Sequence, residues 1–233
     1  MSQLYLASGL RQNFLDDLSF LKATAMDRLF PIFSDIEKEA KDYENELFLR
    51  VMKESDAENR YVDPGDHIDQ VHDDAIDRYN LLRLMQYRNL TNWIVCMCQV
   101  WEQQLISFIL NEAETEGIKY NQNDIDRGFP FVQKIFEEHH QPFAALSSWP
   151  KIHELRLLVN VLKHAEGRSE RELRDIRPDL FVEEFCGLKY DLVSLYHTTL
   201  VEPALQISET DFEAYYHALH QFWLELPEYM YKS

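Results

Sequence analysis

The sequence predicts an all-α fold: a helical bundle with an N-terminal helical extension. Three observations predict it. Apolar residues recur at i, i+3, i+4 and i+7 over most of the chain, the spacing of core-facing helices. Glycine is scarce, at 6 in 233 residues, and runs of strand-like alternation are few. Hydrophobic content of 45%, with 14 Phe, 12 Tyr and 4 Trp, can fill a sizeable core, which excludes global disorder. Residues 1–74 read as the extension and 75–233 as the bundle domain, with no flexible linker, internal repeat or low-complexity segment between them.

Taken in order, residues 1–30 read as a helix with an imperfect stripe (Phe14, Leu15, Leu18, Leu21, Met26) that Pro31 interrupts. Ile32 to Ser55 reads as a second, charged and solvated helix, with Phe33, Ile36, Tyr43, Leu47 and Val51 at helical spacing. Asp63-Pro64-Gly65-Asp66 is a turn signal. Ala75 to Ala113 is the longest apolar helical pattern, one helix or two broken near Asn89, and Gly117 ends it. Arg88 and Asn89 read as a structural polar pair. Phe129–Glu138 is a short helix with Pro130 in its first turn, and His139 and His140 read as cationic caps at its C-terminal end. Ser147 or Ser148 caps the next helix, which Gly167 closes as a C′ residue. Ser169-Glu-Arg-Glu172 has the form of a capping box for a further short helix that Arg177-Pro178 ends. Residues 178–207 read as irregular or weakly β with one short helix. Ser208-Glu-Thr-Asp211 caps a last helix from Phe212 to Leu226, stopped by Pro227.

The formal charge is −18, which argues against a protein that coats nucleic acid through a broad basic surface but leaves room for a compact basic site. Charge is unevenly spread. From Asp35 to Asp77 there are fifteen Asp/Glu against five Lys/Arg, and from Lys151 to Arg177 seven Lys/Arg against five Asp/Glu. No secretory signal or membrane-spanning run is expected, and Cys96, Cys98 and Cys186 read as reduced thiols of a cytoplasmic protein. His67, Asp69, His72, Asp73 and Asp74 lack the i, i+4 histidine spacing of helical zinc sites, so they read as an acidic helix start, and no metal or cofactor is expected.

The stretch from Glu154 to Gly167 stands apart. Ile152, Leu155, Leu158, Val159 and Leu162 cover an arc of roughly 120° on the helical wheel. Beside it His153, Arg156, Asn160, Lys163 and His164 form a polar stripe of about 100°, and beyond that Leu157 and Val161 turn apolar again. A polar stripe with two apolar shoulders fits a cleft or a helix–helix interface. Arg156, Asn160 and His164 repeat at i, i+4 and make a ladder about 12 Å long. With no Ser or Cys nucleophile at a matching place, no carboxylate pair on this face and no Gly-rich phosphate loop before a helix, what remains is a cation, an amide and an imidazole. That set suits phosphodiester cleavage of RNA, which supplies its own nucleophile in the 2′-OH. The same three residues also suit a hydrogen-bond network across a buried interface.

Arg156-x-x-x-Asn160-x-x-Lys163-His164 followed by Gly167 resembles the signature helix of the HEPN superfamily of all-helical toxin and defence domains. The upstream run from Asn92-Trp-Ile-Val to Trp101-Glu-Gln-Gln-Leu105 resembles that family's first core helices, and the closing helix is compatible with its last. The resemblance covers about residues 75–225. It implies a four-helix core, a homodimer and a metal-independent ribonuclease in the dimer cleft. His164 is then the proton-transfer residue, Asn160 a polar helper and Arg156 the phosphate-contacting cation, with Lys163, Arg168 and Arg171 on the substrate. It also implies a cognate antitoxin or regulatory partner. The interval between Arg156 and His164 is one residue longer than the family pattern, which leaves Lys163 and Arg168 as alternative cations. The alternative reading is a non-catalytic dimeric interaction or regulatory module.

Overall fold

A computed structural model describes residues 3–57 and 64–232 and shows an all-α protein with two short strand pairs. In order, the elements are β1 (Gln3–Tyr5), α1 (Ser8–Thr24), α2 (Ile36–Ala57), α3 (Pro64–Thr115), α4 (Gln122–Ile125), α5 (Phe129–Glu138), α6 (Trp149–His164), α7 (Arg168–Ile176), β2 (Glu183–Phe185), β3 (Leu188–Tyr190), α8 (Leu192–Tyr196), α9 (Glu209–Glu225) and β4 (Tyr229–Tyr231).

The bundle is built around α3. Its side chains Ile94, Met97, Trp101, Leu105 and Phe108, spaced by three and four, are all fully buried. Such a stripe gains stability by burial, about 1.5–3 kcal/mol for each large apolar side chain. Although α3 is long and apolar enough to cross a bilayer, which the sequence was not expected to contain, this stripe lies in the bundle core. The helix is not broken near Asn89, because the Asn89 amide is used outside it, donating to the Leu29 carbonyl at 3.0 Å. Arg88 likewise donates to the Leu200 carbonyl at 2.8 Å. Gly117 ends α3 at φ +67°, with Ile118 N–H on the Ala113 carbonyl and Gly117 N–H on that of Glu114, a Schellman closure.

α9 packs against α1, α3 and α6. Gln104 ties three helices with one amide: its nitrogen donates to the Phe14 carbonyl at 3.3 Å and its oxygen accepts from the Trp223 indole at 3.1 Å. Trp101, Phe136, Phe143 and Phe222 form an aromatic cluster joining α3, α5 and α9. α2 packs along the first half of α3, with Ala40, Val71 and Ala75 buried. The boundary expected at 74/75 falls inside α3, and Phe14, Leu15 and Leu18 of α1 lie in the main core.

Several local expectations are corrected. Residues 3–5 are a strand paired antiparallel with β4, Leu4 opposite Met230, and both side chains are buried. The first helix rewinds into a π turn (Ala25–Leu29) and a 3₁₀ turn (Phe30–Phe33), since Pro31 cannot donate to the preceding turn. Ser148 sits at the N-cap of α6 in helical backbone, and its hydroxyl donates to Glu225 of α9 at 2.9 Å instead of capping. His139, expected as a cap at the end of α5, is the C-cap, with Nδ1 2.7 Å from the Ile135 carbonyl, and is buried at 1% exposure. The Pro64 turn signal opens α3, and Asp63 lies outside the described residues.

Candidate functional site

α6 buries both apolar shoulders. Ile152, Leu155, Leu158, Val159 and Leu162 are buried on one side, and Leu157 and Val161 on the other. The polar stripe between them is half-buried to exposed, as a helix that contacts neighbours on two flanks requires. The ladder residues do not converge. Arg156 leans against α3 and α5: Nε donates to Glu102 Oε1 at 2.8 Å, and its guanidinium lies 3.4 Å from the centre of the Phe129 ring. Such stacking with charge pairing holds a guanidinium in place, worth about 0.5–2 kcal/mol for the cation–π contact.

One and two turns further on, Asn160 and His164 face the α6–α7 corner. Asn160 Nδ2 donates to Ser169 Oγ at 3.3 Å. His164, the last residue of α6, is exposed. The corner encloses a shallow cavity of about 330 Å³ whose polar lining is Asn160, His164, Glu166, Arg168, Ser169 and Glu170, with Gly167 between. Arg156, about 6 Å before Asn160 and about 12 Å before His164 along the helix axis, is not part of its wall. Lys163 and Arg171 are exposed on the flanks, and Arg168, 86% exposed, pairs with Glu172 at 2.6 Å.

The corner is built differently from the sequence expectation. Ala165, not Gly167, terminates α6, at φ +57° and ψ −96°, a conformation L residues rarely adopt. Gly167, at φ +148°, is the N-cap of α7, so the helix begins at Arg168 and Ser169 lies inside it. The expected Ser169–Glu172 capping box is absent: no side chain caps α7, Ser169 meets Asn160 and Glu172 meets Arg168. The first-turn N–H groups of α7 thus stay free of side-chain acceptors on the cavity wall, where a helix N-terminus favours an anion.

A charge network ties the ends of α6 and α7 opposite this corner to the start of α9. Arg177, just past α7, reaches Glu154 of α6 at 2.6 Å, Asp211 at the start of α9 at 3.0 Å, and Asp179 at 2.7 Å. Glu154 is 7% exposed and also accepts from Tyr215 at 2.9 Å and pairs with Lys151 at 2.7 Å. The hydrogen bond from Arg177 holds the Asp179 carboxyl below its ordinary range. Burial raises the Tyr215 phenol, helped by Glu154. Thr199 donates to the Leu162 carbonyl at 3.0 Å, and His197 meets Glu166 at 2.7 Å, so the 197–199 loop packs on the end of α6. Sequence reasoning missed Glu102, Phe129 and the Arg177 network. For Glu154 a signal existed: on the wheel it falls between Val161 and Leu158, inside an apolar sector. For Glu102 and Phe129, which come from other elements, there was none.

Burial pushes the Cys98 thiol to about 12, so it carries no reactive thiolate. His72 pairs with Glu44 at 2.9 Å, and among the described residues no group of three or more His, Cys, Asp or Glu is placed to hold a metal ion. Comparison with protein-family models, with curated proteins and with solved structures finds no match.

Proposed function

We propose that the chain is a HEPN-like, metal-independent endoribonuclease of a cytoplasmic toxin or defence system, acting as a homodimer under the control of a cognate antitoxin or regulatory protein. One observation carries this reading: at the α6–α7 corner an imidazole, an amide and an uncapped helix N-terminus share one solvent-open cavity. The 2′-OH of the substrate attacks the adjacent phosphorus and expels the 5′ oxygen, leaving a 2′,3′-cyclic phosphate and a 5′-hydroxyl. His164 moves a proton, taking it from the 2′-OH or giving it to the departing 5′ oxygen, and His164 of a second copy serves the other step. The first-turn amides of α7, with Lys163 and Arg168, receive the charge on the non-bridging oxygens, Asn160 orients the phosphate, and Arg171 contacts the flanking backbone.

Arg156 supports a second reading. Its pairing with Glu102 and stacking on Phe129 give it a structural role, as in a non-catalytic dimeric interaction module. Labelled RNAs incubated in EDTA with wild type and His164→Ala separate the two. The ribonuclease reading predicts cleavage by wild type and a loss of about 100-fold or more in the variant. No cleavage of any RNA by wild type favours the interaction module.

A further inference from the structure

Away from the α6–α7 corner, a groove of about 500 Å³ runs between the outward face of α3 and the segment 200–203, within the about 300–1,000 Å³ of ordinary ligand sites. The α3 side is a stripe: Leu81, Leu84, Met85 and Arg88 stand at i, i+3, i+4 and i+7, the spacing that aligns side chains along one side of a helix. Arg88 donates to the Leu200 carbonyl at 2.8 Å and so holds the facing segment alongside. Leu81, Leu84 and Pro203 supply the apolar lining. Leu81 is 60% exposed, and beside the groove Met85 and Val201 are 47% and 59% exposed, so the apolar surface is longer than the cavity itself. Contiguous large apolar side chains left in water mark an interaction surface.

The uncompensated charge of the groove has one sign. Asp77 on α3 and Glu202 on the facing segment line it, and neither carboxylate meets a cation among the described residues. Arg83, the guanidinium in the lining, donates to Glu183 at 3.0 Å and is neutralised there. Towards its N-terminus α3 continues from Asp77 into the arm it forms with α2, and the stretch from Asp35 to Asp77 carries fifteen Asp/Glu against five Lys/Arg. Such a field draws in a cationic partner. With a net charge of −18, the chain repels RNA, an anionic membrane surface and, at long range, a second copy of itself.

We propose that this groove docks a basic amphipathic helix of a partner protein. Its apolar row lies on Leu81, Leu84 and Met85, and Lys or Arg on its flank pairs with Asp77 and Glu202. An amphipathic helix fills a groove of this kind with apolar anchors one turn apart, and the flanking charges set which partner is accepted. The groove shares no residue with the α6–α7 corner, so the proposal does not depend on the ribonuclease reading, and His164→Ala leaves it intact.

Fluorescence anisotropy of the full chain with a labelled leucine–lysine amphipathic helical peptide, and with its leucine–glutamate counterpart, tests this. The lysine peptide is expected to bind saturably and the glutamate peptide at least about tenfold more weakly. Leu81→Asn, and separately Asp77→Asn combined with Glu202→Gln, should each weaken the lysine peptide at least about tenfold. Asp42→Asn combined with Glu46→Gln makes the same change of charge on exposed arm residues outside the groove, and should weaken it less than about threefold. No saturable binding, equal binding of the two peptides, or equal weakening by the two pairs of charge substitutions would overturn the proposal. So would a dimer that Leu81→Asn converts to a monomer in analytical ultracentrifugation, since the face would then be an interface between copies.

Discussion

Glu154 illustrates how a residue's environment decides its role. On an exposed helix a Glu three residues after a Lys adds a few tenths of a kcal/mol. Buried beside Tyr215 and Arg177, it needs those partners to offset the cost of taking its polar oxygens out of water. Arg177 is therefore the residue that pins α6, the α7 exit and α9 together. Arg177→Ala should lower stability by about 2–3 kcal/mol near pH 7, since it removes the guanidinium that Glu154 and Asp211 share. The sign with pH follows from Asp179, whose carboxyl Arg177 holds below its ordinary 3.8. That contribution is present above about 3.8 and disappears as pH falls through the depressed folded value. Urea unfolding from pH 7 to pH 3 should show the gap between wild type and variant narrowing only in the acidic limb. A gap constant with pH would mean that Arg177 acts by packing alone.

At the scale of elements, two serines with the same local pattern have opposite outcomes. Ser208 caps α9: its hydroxyl accepts the Asp211 N–H, and the Asp211 carboxylate accepts the Ser208 N–H at 2.9 Å. Ser169 does not cap α7, because Gly167 reaches a backbone conformation that starts the helix earlier and turns Ser169 towards Asn160. Ser208→Ala should cost about 1 kcal/mol. Ser169→Ala should leave the thermal midpoint nearly unchanged, as differential scanning calorimetry of the two variants would show. Equal losses would mean that Ser169 caps α7 after all. The uncapped start of α7 is also what leaves amides available on the cavity wall, so the same local departure from pattern shapes the site.

At the scale of the molecule, helices with a repeating apolar stripe were legible in the sequence. Phe129–Glu138 matches its expected limits, and the run through Trp101 and Phe108 lies at the core. The three-residue strand at Leu4 was not, since its pairing with Met230 joins opposite ends of the chain and leaves no local period. The polar stripe of α6 was legible too, but its division was not. Arg156 is drawn to Glu102 and Phe129, which only tertiary packing brings near, while Asn160 and His164 open onto α7. Net charge of −18 repels RNA at long range, a repulsion screened over about 8 Å at physiological salt, while at the corner Lys163, Arg168 and Arg171 stand among Glu166, Glu170 and Glu172. The central claim, that the α6–α7 corner cleaves RNA through the substrate's own 2′-OH, is tested most directly by the ends of the products. Mass spectrometry of RNA treated with the wild-type protein in EDTA should find 2′,3′-cyclic phosphate and 5′-hydroxyl termini, with a 2′-deoxy substitution at the scissile nucleotide blocking the cut. Intact RNA, 3′-hydroxyl termini, or cleavage that persists at the 2′-deoxy position would contradict it.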